Sequence, residues 1–182
     1  MAGDRWRAEL LTKTATCTAL IAAAGWISLP FIPVPITLQT MFVLLTAPVM
    51  KRLAPVPVIL YLLLGSIGLP VFHSGTAGIG VLLGPTGGYL VGFVPAAFIA
   101  GWGYHYGTKV LKIFGIVAGE VAIYSCGVLW LVISTGMGLQ AGLLVGLAPF
   151  VPGDIVKAYG AYLIGERLLK AGYNESRRGG HS

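Results

Sequence analysis

The chain has 182 residues, 56% hydrophobic and only 10% charged, with a mean hydropathy of +0.85 and a net charge of +6. A soluble domain carries about 25% charged residues, so this composition excludes an ordinary water-soluble fold, and the solvent for most of the chain is expected to be lipid. The 12 Lys and Arg are scattered between apolar blocks of membrane-spanning scale rather than gathered on one face, which argues against a nucleic-acid surface.

In chain order, the first apolar block is Leu11–Leu29, preceded by Arg5 and Arg7 and carrying Lys13 near its start. A basic start followed by Ala22-Ala23-Ala24 also fits a cleavable leader. Asp4 and Glu9 are unusual there, so the segment is expected to be retained. The second block, Ile36–Met50, follows a Pro-rich junction from Pro30 to Gln39; Lys51 and Arg52 separate it from the third, Leu53–Leu69. A long Gly-rich junction from Gly68 to Tyr89 leads to the fourth, Tyr89–Tyr104. Lys109 and Lys112 lie at the start of the fifth, Leu111–Ile133. The sixth is Asp154–Leu169, followed or closed by Arg167, Lys170, Arg177 and Arg178. Between the last two, Leu139–Val151 is too short for a span and is read as a re-entrant or interfacial piece. Several blocks fall below the roughly 20 residues of an ideal span; flanking turns, Trp and Tyr anchors or local thinning make up the difference.

The basic residues occupy every second junction, the positive-inside signature. The expected fold is therefore an all-α integral membrane protein of six transmembrane helices, one domain over residues 1–182. The tails 1–10 and 171–182 are expected in the cytoplasm. The Gly- and Pro-rich outer junctions are expected to fold back and cap a pocket, because non-helical backbone at membrane depth is tolerated where it lines a protein cavity. Flexible solvent linkers are the plain alternative; Leu, Val, Phe and Tyr in these junctions argue against them. Cys17 and Cys126 suggest no disulfide framework, and the scattered His73, His105 and His181 suggest no metal site.

Asp154 and Lys157 carry the chemistry most clearly. An ionised side chain near lipid costs about 2.5–3.5 kcal/mol on insertion scales, and the three-residue spacing puts both on one helix face. An ion pair with a capping role is the simple reading. The functional one has Asp154 accept from ligand N–H groups and Lys157 pair with an anion. Gln39 can donate and accept; Thr37, Ser74, Thr76 and Thr86 add neutral polar groups; Phe31, Phe72, Tyr89 and Trp130 are candidates for an aromatic wall. Glu120, in the middle of the fifth block, either serves an intramembrane function or bonds a neighbouring helix. Ala15, Ala19 and Ala23 form a small-residue stripe on which another helix, internal or from a partner, can pack closely. No phosphate-binding Gly-x-x-x-x-Gly-Lys-Ser/Thr loop is present, so energy for uphill transport must come from elsewhere.

Four segments, Ile32-Pro33-Val34-Pro35-Ile36-Thr37-Leu38-Gln39-Thr40, Gly68-Leu69-Pro70-Val71-Phe72, Leu83-Gly84-Pro85-Thr86-Gly87-Gly88-Tyr89 and Phe150-Val151-Pro152-Gly153-Asp154-Ile155-Val156-Lys157, closely resemble the BioY family, the biotin-binding S components of energy-coupling factor transporters. The resemblance runs in order from about Ala15 to Leu168. It implies a six-helix bundle in the bacterial cytoplasmic membrane, with biotin bound near the outer face as the transported substrate and no cofactor. It also implies a transmembrane T component and two cytoplasmic ATPases as partners. Ala15 and Ala19 match the motif that docks on the T component. Gln39, Asp154 and Lys157 match positions lining the biotin site, and Tyr89 with Gly87-Gly88 falls in the loop covering it. The family often has Gly-Gly-x-Gly-Gly with Arg or Asn at its centre; here the stretch is Ser74-Gly75-Thr76-Ala77-Gly78. Thr76 has a shorter reach, which leaves Lys157 the leading cation near the ligand.

Biotin uptake, with no enzymatic chemistry, is the expected function. Asp154 suits the ureido N–H groups, Gln39 the urea and Lys157 the carboxylate, although these assignments can be exchanged. The alternatives are an S component for another small vitamin, an intramembrane enzyme on a lipid or prenyl substrate using Asp154 and Glu120, or a purely structural subunit.

Overall fold

The computed structural model describes residues 2–179, with side chains for residues 3–171. Arg177, Arg178 and His181 lie outside the described side chains. The elements are α1 (Ala2–Trp26), β1 (Ser28–Leu29), β2 (Ile36–Thr37), α2 (Gln39–Met50), a 3₁₀ turn (Lys51–Leu53), α3 (Pro55–Ser66), a second turn (His73–Gly75), α4 (Ile79–Leu83), α5 (Gly87–Tyr106), α6 (Lys109–Thr135), α7 (Leu139–Gly146) and α8 (Val151–Gly179).

The helical blocks fall where apolar sequence places them, and their ends follow local chemistry. Thr108 caps α6 by accepting from the Leu111 N–H at 3.3 Å; Gly136, at φ 71°, closes it while its N–H donates to the Val132 carbonyl. Several boundaries differ from the sequence reading; α1 begins at Ala2, within the stretch 1–10 expected as a tail, and α3 ends at Ser66 rather than Leu69. Ser28–Leu29 and Ile36–Thr37, expected in the first and second helices, instead form a two-residue antiparallel ladder pairing Ser28 with Thr37 and Leu29 with Ile36. Pro30, Pro33 and Pro35 lie between them; proline lacks an N–H and clashes with a preceding turn, so the helix cannot cross this segment. The stretch expected as a tail from residue 171 continues α8 as far as Gly179. The Gly-rich junction also holds a helical turn, α4, that the sequence reading did not foresee.

Length is the second departure. Among the described residues, α6 is the one helix long and apolar enough to cross a membrane; up to three crossings result if each bent pair counts as one. The pairs are Gln39–Leu53 with Pro55–Ser66, bent by 120°, and Leu139–Gly146 with the start of α8, bent by 53°. At 12 residues each, α2 and α3 reach only about 18 Å at 1.5 Å per residue, against a hydrocarbon core of about 30 Å. α1 has 25 residues, but its first half carries Asp4, Arg5, Arg7, Glu9 and Lys13.

α5 and α6 pack so closely that glycine is required between them. A Cβ on Gly88 would lie 2.4 Å from the Cys126 carbonyl oxygen, and one on Gly103 would lie 2.3 Å from that of Leu111. The core divides in two. Tyr61, Phe72, Phe93, Ile123 and Leu131 fill the end beneath the loops, while Leu44, Ala100, Tyr104, Ile116 and Ala161 fill the basic end. At that basic end the largely buried Lys112 pairs with Glu166 at 2.7 Å and stands 5.5 Å from the Tyr104 ring centre, tying α5, α6 and α8 together. Side chains such as Phe114, Val110 and Ile133 point outward from α6 and are largely exposed, the reverse of a water-soluble helix.

Overpacking a tight contact costs about 1–3 kcal/mol. Gly88→Val is therefore expected to lower the thermal midpoint of the purified protein in detergent. An unchanged midpoint would mean that α5 and α6 do not meet at this point.

Candidate functional site: a polar chamber beneath the loops

A chamber opens where the Pro-rich loop, α2, α5, α6 and the start of α8 converge. Its wall includes Val34, Thr37, Gln39, Tyr89, Tyr124 and Phe150, with Asp154 and Lys157 at the polar end. Its free volume is about 50 Å³.

The bend between α7 and α8 sets the polar end. α8 starts at Val151, so Asp154 sits in its first turn, where the positive end of the helix dipole favours a carboxylate. Asp154 is buried and accepts from several sides. Lys157 Nζ reaches Oδ1 at 2.6 Å, Thr40 Oγ1 reaches the same oxygen at 3.1 Å, and the Tyr124 hydroxyl donates to Oδ2. Lys157 also donates to the Thr37 carbonyl at 2.6 Å. The pair is thus more than an isolated i, i+3 ion pair. It binds α8 to β2, α2 and α6 through charge-assisted bonds, the stronger kind.

Gln39 is the first residue of α2 and is almost wholly buried. Its Nε2 donates to the Tyr61 hydroxyl at 2.5 Å and to the Ile21 carbonyl at 3.4 Å, while Oε1 accepts from Thr37 Oγ1 at 3.4 Å. The Tyr89 hydroxyl donates to the Gly146 carbonyl at 2.7 Å, and its ring stacks on Phe150 at 6.4 Å. That contact ties α5 to α7 over the chamber. His73, on the capping loop, stands 3.4 Å from Thr86 Oγ1. Burial pushes its imidazole below its ordinary pKa, towards the neutral form.

The structure thus gathers Thr37, Gln39, Thr86, Tyr89, Asp154 and Lys157 around one chamber. Phe72 and Thr76 lie outside its lining. Gly75 and Gly78, at φ 73° and 93°, turn the loop so that Phe72 points inward, against Tyr61 and into the space left by Gly65, where a Cβ would lie 2.2 Å from its ring. Thr76 spends its hydroxyl on the His73 carbonyl at 2.8 Å. Ser74 bonds Ser28 at 2.7 Å, and Trp130 donates to the Gly84 carbonyl at 2.9 Å on a different face of α6. Phe31 meets Phe150 edge-on at 6.1 Å. Ala15 and Ala19 are exposed on the outward face of α1, so no internal helix covers that stripe.

Sequence reasoning missed Thr40, Tyr124, Phe93 and Phe150. Tyr124 carried a usable signal: it stands four residues after Glu120, on the same face of an otherwise apolar helix. Glu120 lies one turn further towards the basic end, with both carboxyl oxygens enclosed and no hydrogen-bond partner among the described residues.

The sequence model of the BioY family matches residues 2–174. The biotin transporter BioY of Thermotoga maritima is 42% identical over 162 residues, covering 88% of this chain and 95% of that protein. The biotin transporter BioY2 of Lactococcus lactis subsp. cremoris is 41% identical over 165 residues, covering 88% and 90%. A crystal structure of the S-component for biotin from an ECF-type ABC transporter superposes with a TM-score of 0.82 at 29% identity, covering 91% of this chain and 93% of that one.

An enclosed polar group without a partner costs about 1–3 kcal/mol. Glu120→Leu is expected to raise the thermal midpoint in detergent, and Glu120→Gln to raise it less. A fall with Leu would reveal a polar partner that the carboxyl engages in solution.

Proposed function

The chain belongs to the BioY family, and we propose that it is the biotin-binding S component of an energy-coupling factor transporter, taking up biotin across the cytoplasmic membrane. It is a transporter subunit, not an enzyme. The observation that carries the reading is the buried Asp154–Lys157 pair at the polar end of a chamber otherwise walled by apolar and aromatic side chains, the usual make-up of a small-ligand site. Biotin brings two ureido N–H donors, a ureido carbonyl, an apolar thioether ring and a carboxylate. The Asp154 carboxylate accepts the N–H groups, Gln39 meets the urea, Lys157 meets the carboxylate, and Tyr89, Phe93 and Phe150 enclose the apolar part.

The chamber is narrow, with about 50 Å³ of free volume, and biotin brings two fused rings and a carboxylate tail. Binding therefore moves the wall. The Pro30–Pro35 segment is the part with least regular structure around the site, and it rests on Phe150 through Phe31. Its outward movement opens the chamber to the side from which the vitamin enters.

In this reading α1, α2, α3, α5, α6 and α8 form the six spans, with the short α2 and α3 completed by their flanking turns, while α4 and α7 cap the outer end. The basic residues at the opposite end, including Lys51, Arg52, Lys109 and Lys112, support a cytoplasmic location for that end and for both termini. The exposed face of α1 bearing Ala15 and Ala19 suits close docking of a T-component helix. Two cytoplasmic ATPases supply the energy, and tilting of the bundle delivers the vitamin inward. The readings as a lipid-acting enzyme, as a carrier for another vitamin or as a ligandless subunit have no comparable support: the relatives are named biotin transporters.

Purified protein in detergent is expected to bind labelled biotin stoichiometrically and without turnover. Asp154→Ala and Lys157→Ala are each expected to weaken binding at least tenfold, about 1.4 kcal/mol, because each strands a buried polar group. Wild-type affinity in both variants would refute the site. Ala15→Leu with Ala19→Leu is expected to leave binding intact while stopping uptake driven by the ATPases; loss of binding would instead place that stripe inside the bundle.

A further inference from the structure

A second built feature lies at the basic end, on the outside of the bundle. There the close crossing of α5 and α6, in which a Cβ on Gly115 would lie 3.3 Å from Gly103 Cα, leaves a groove of about 380 Å³ between the two helices. Its floor is backbone and its walls are apolar. Phe98, Trp102 and Tyr106 form a ladder on α5, with ring centres 5.5 and 6.0 Å apart, and Phe114 stands opposite on α6. Arg52, from the turn between α2 and α3, reaches across so that its guanidinium lies 5.9 Å from the Trp102 ring centre. It makes no ion pair among the described residues. Three elements thus bring a cation with no ion-pair partner among the described residues beside Trp102, one wall of the apolar slot.

We propose that this groove is a binding site for one anionic glycerophospholipid of the leaflet at the basic end, with an acyl chain between Phe98 and Phe114 and the phosphate on Arg52. The shape and the charge both select this occupant. A partner helix is 10–12 Å across and would have to part α5 from α6 to reach the glycine floor, whereas an acyl chain is one methylene wide. An anionic headgroup supplies the counter-charge that the described residues do not, and basic pockets between spanning helices hold such headgroups. The cation–π contact holds the exposed Arg52 guanidinium beside Trp102, a wall of the groove.

The test uses the full chain, delipidated in detergent and titrated with phosphatidylglycerol or phosphatidylcholine under native mass spectrometry. Phosphatidylglycerol is expected to be retained at least tenfold more tightly. Arg52→Gln is expected to cut that retention at least fivefold without changing retention of phosphatidylcholine, and Phe114→Ser to weaken both lipids. Lys109→Gln, which removes a cation outside the groove, is expected to change neither, and biotin binding in each variant reports an intact fold independently of the lipid result. Unchanged retention in Arg52→Gln overturns the site. So does an equal loss in Lys109→Gln, which would mean diffuse charge attraction, or equal competition by glycerol phosphate, which would mean an anion site with no acyl component.

Discussion

The Asp154 carboxylate is the point on which the outer half of the molecule is organised. It takes hydrogens from Thr40 on α2, Tyr124 on α6 and Lys157 one turn along its own helix. Lys157 then extends the network to the Thr37 carbonyl on β2. A buried ion pair is a weak stabiliser on its own, since desolvation offsets much of the Coulombic gain, but breaking one partner away is strongly destabilising. The consequence is positional. Any arrangement of α2, α6, α8 and the short ladder that leaves these atoms unmet is disfavoured by several kcal/mol, so the pair fixes where four elements lie around the chamber.

Around that polar point the helices are held by unlike means. α5 and α6 meet backbone to backbone through glycine, with no side chain in between to adjust. α8 meets α6 through polar contacts at two levels: Tyr124 with Asp154 at the loop end and Lys112 with Glu166 at the basic end. The first joint is rigid because its packing has no slack. The second is exchangeable at its loop end, because N–H donors and anionic oxygens from outside the chain can replace the internal partners of Asp154 and Lys157. The chamber is therefore built against the rigid pair and closed by exchangeable bonds.

The sequence disclosed the chemically expensive residues and concealed the inexpensive ones. Asp154, Lys157 and Gln39 stand out because polar groups in apolar blocks have no trivial explanation, and all three line the chamber. Tyr124 and Thr40 do not stand out, since a tyrosine or threonine in a spanning block is unremarkable until its partner is known. Phe72 and Thr76 lie outside the chamber's lining for a different reason. Their position depends on the path of a loop set by positive φ at Gly75 and Gly78, and a glycine announces freedom without announcing direction. The ladder between Ser28–Leu29 and Ile36–Thr37 was hidden because two residues carry no periodicity; only the intervening prolines hinted that the helix must stop.

Two polar side chains in the lower half, Glu120 and Tyr104, are left without hydrogen-bond partners among the described residues. Glu120 lies between the two polar joints of α8 and α6, with its oxygens enclosed and unbonded, and the Tyr104 hydroxyl is likewise unbonded near Lys112. An apolar side chain at either place would be less costly in this arrangement. Both lie on the seam along which α8 must shift if its upper bonds pass to a ligand while Lys112 still holds Glu166. A rotation of α8 about that lower joint changes what Glu120 and Tyr104 face without touching the glycine-packed pair of α5 and α6. The seam thus has two polar bond sets, with Glu120 unpartnered between them among the described residues.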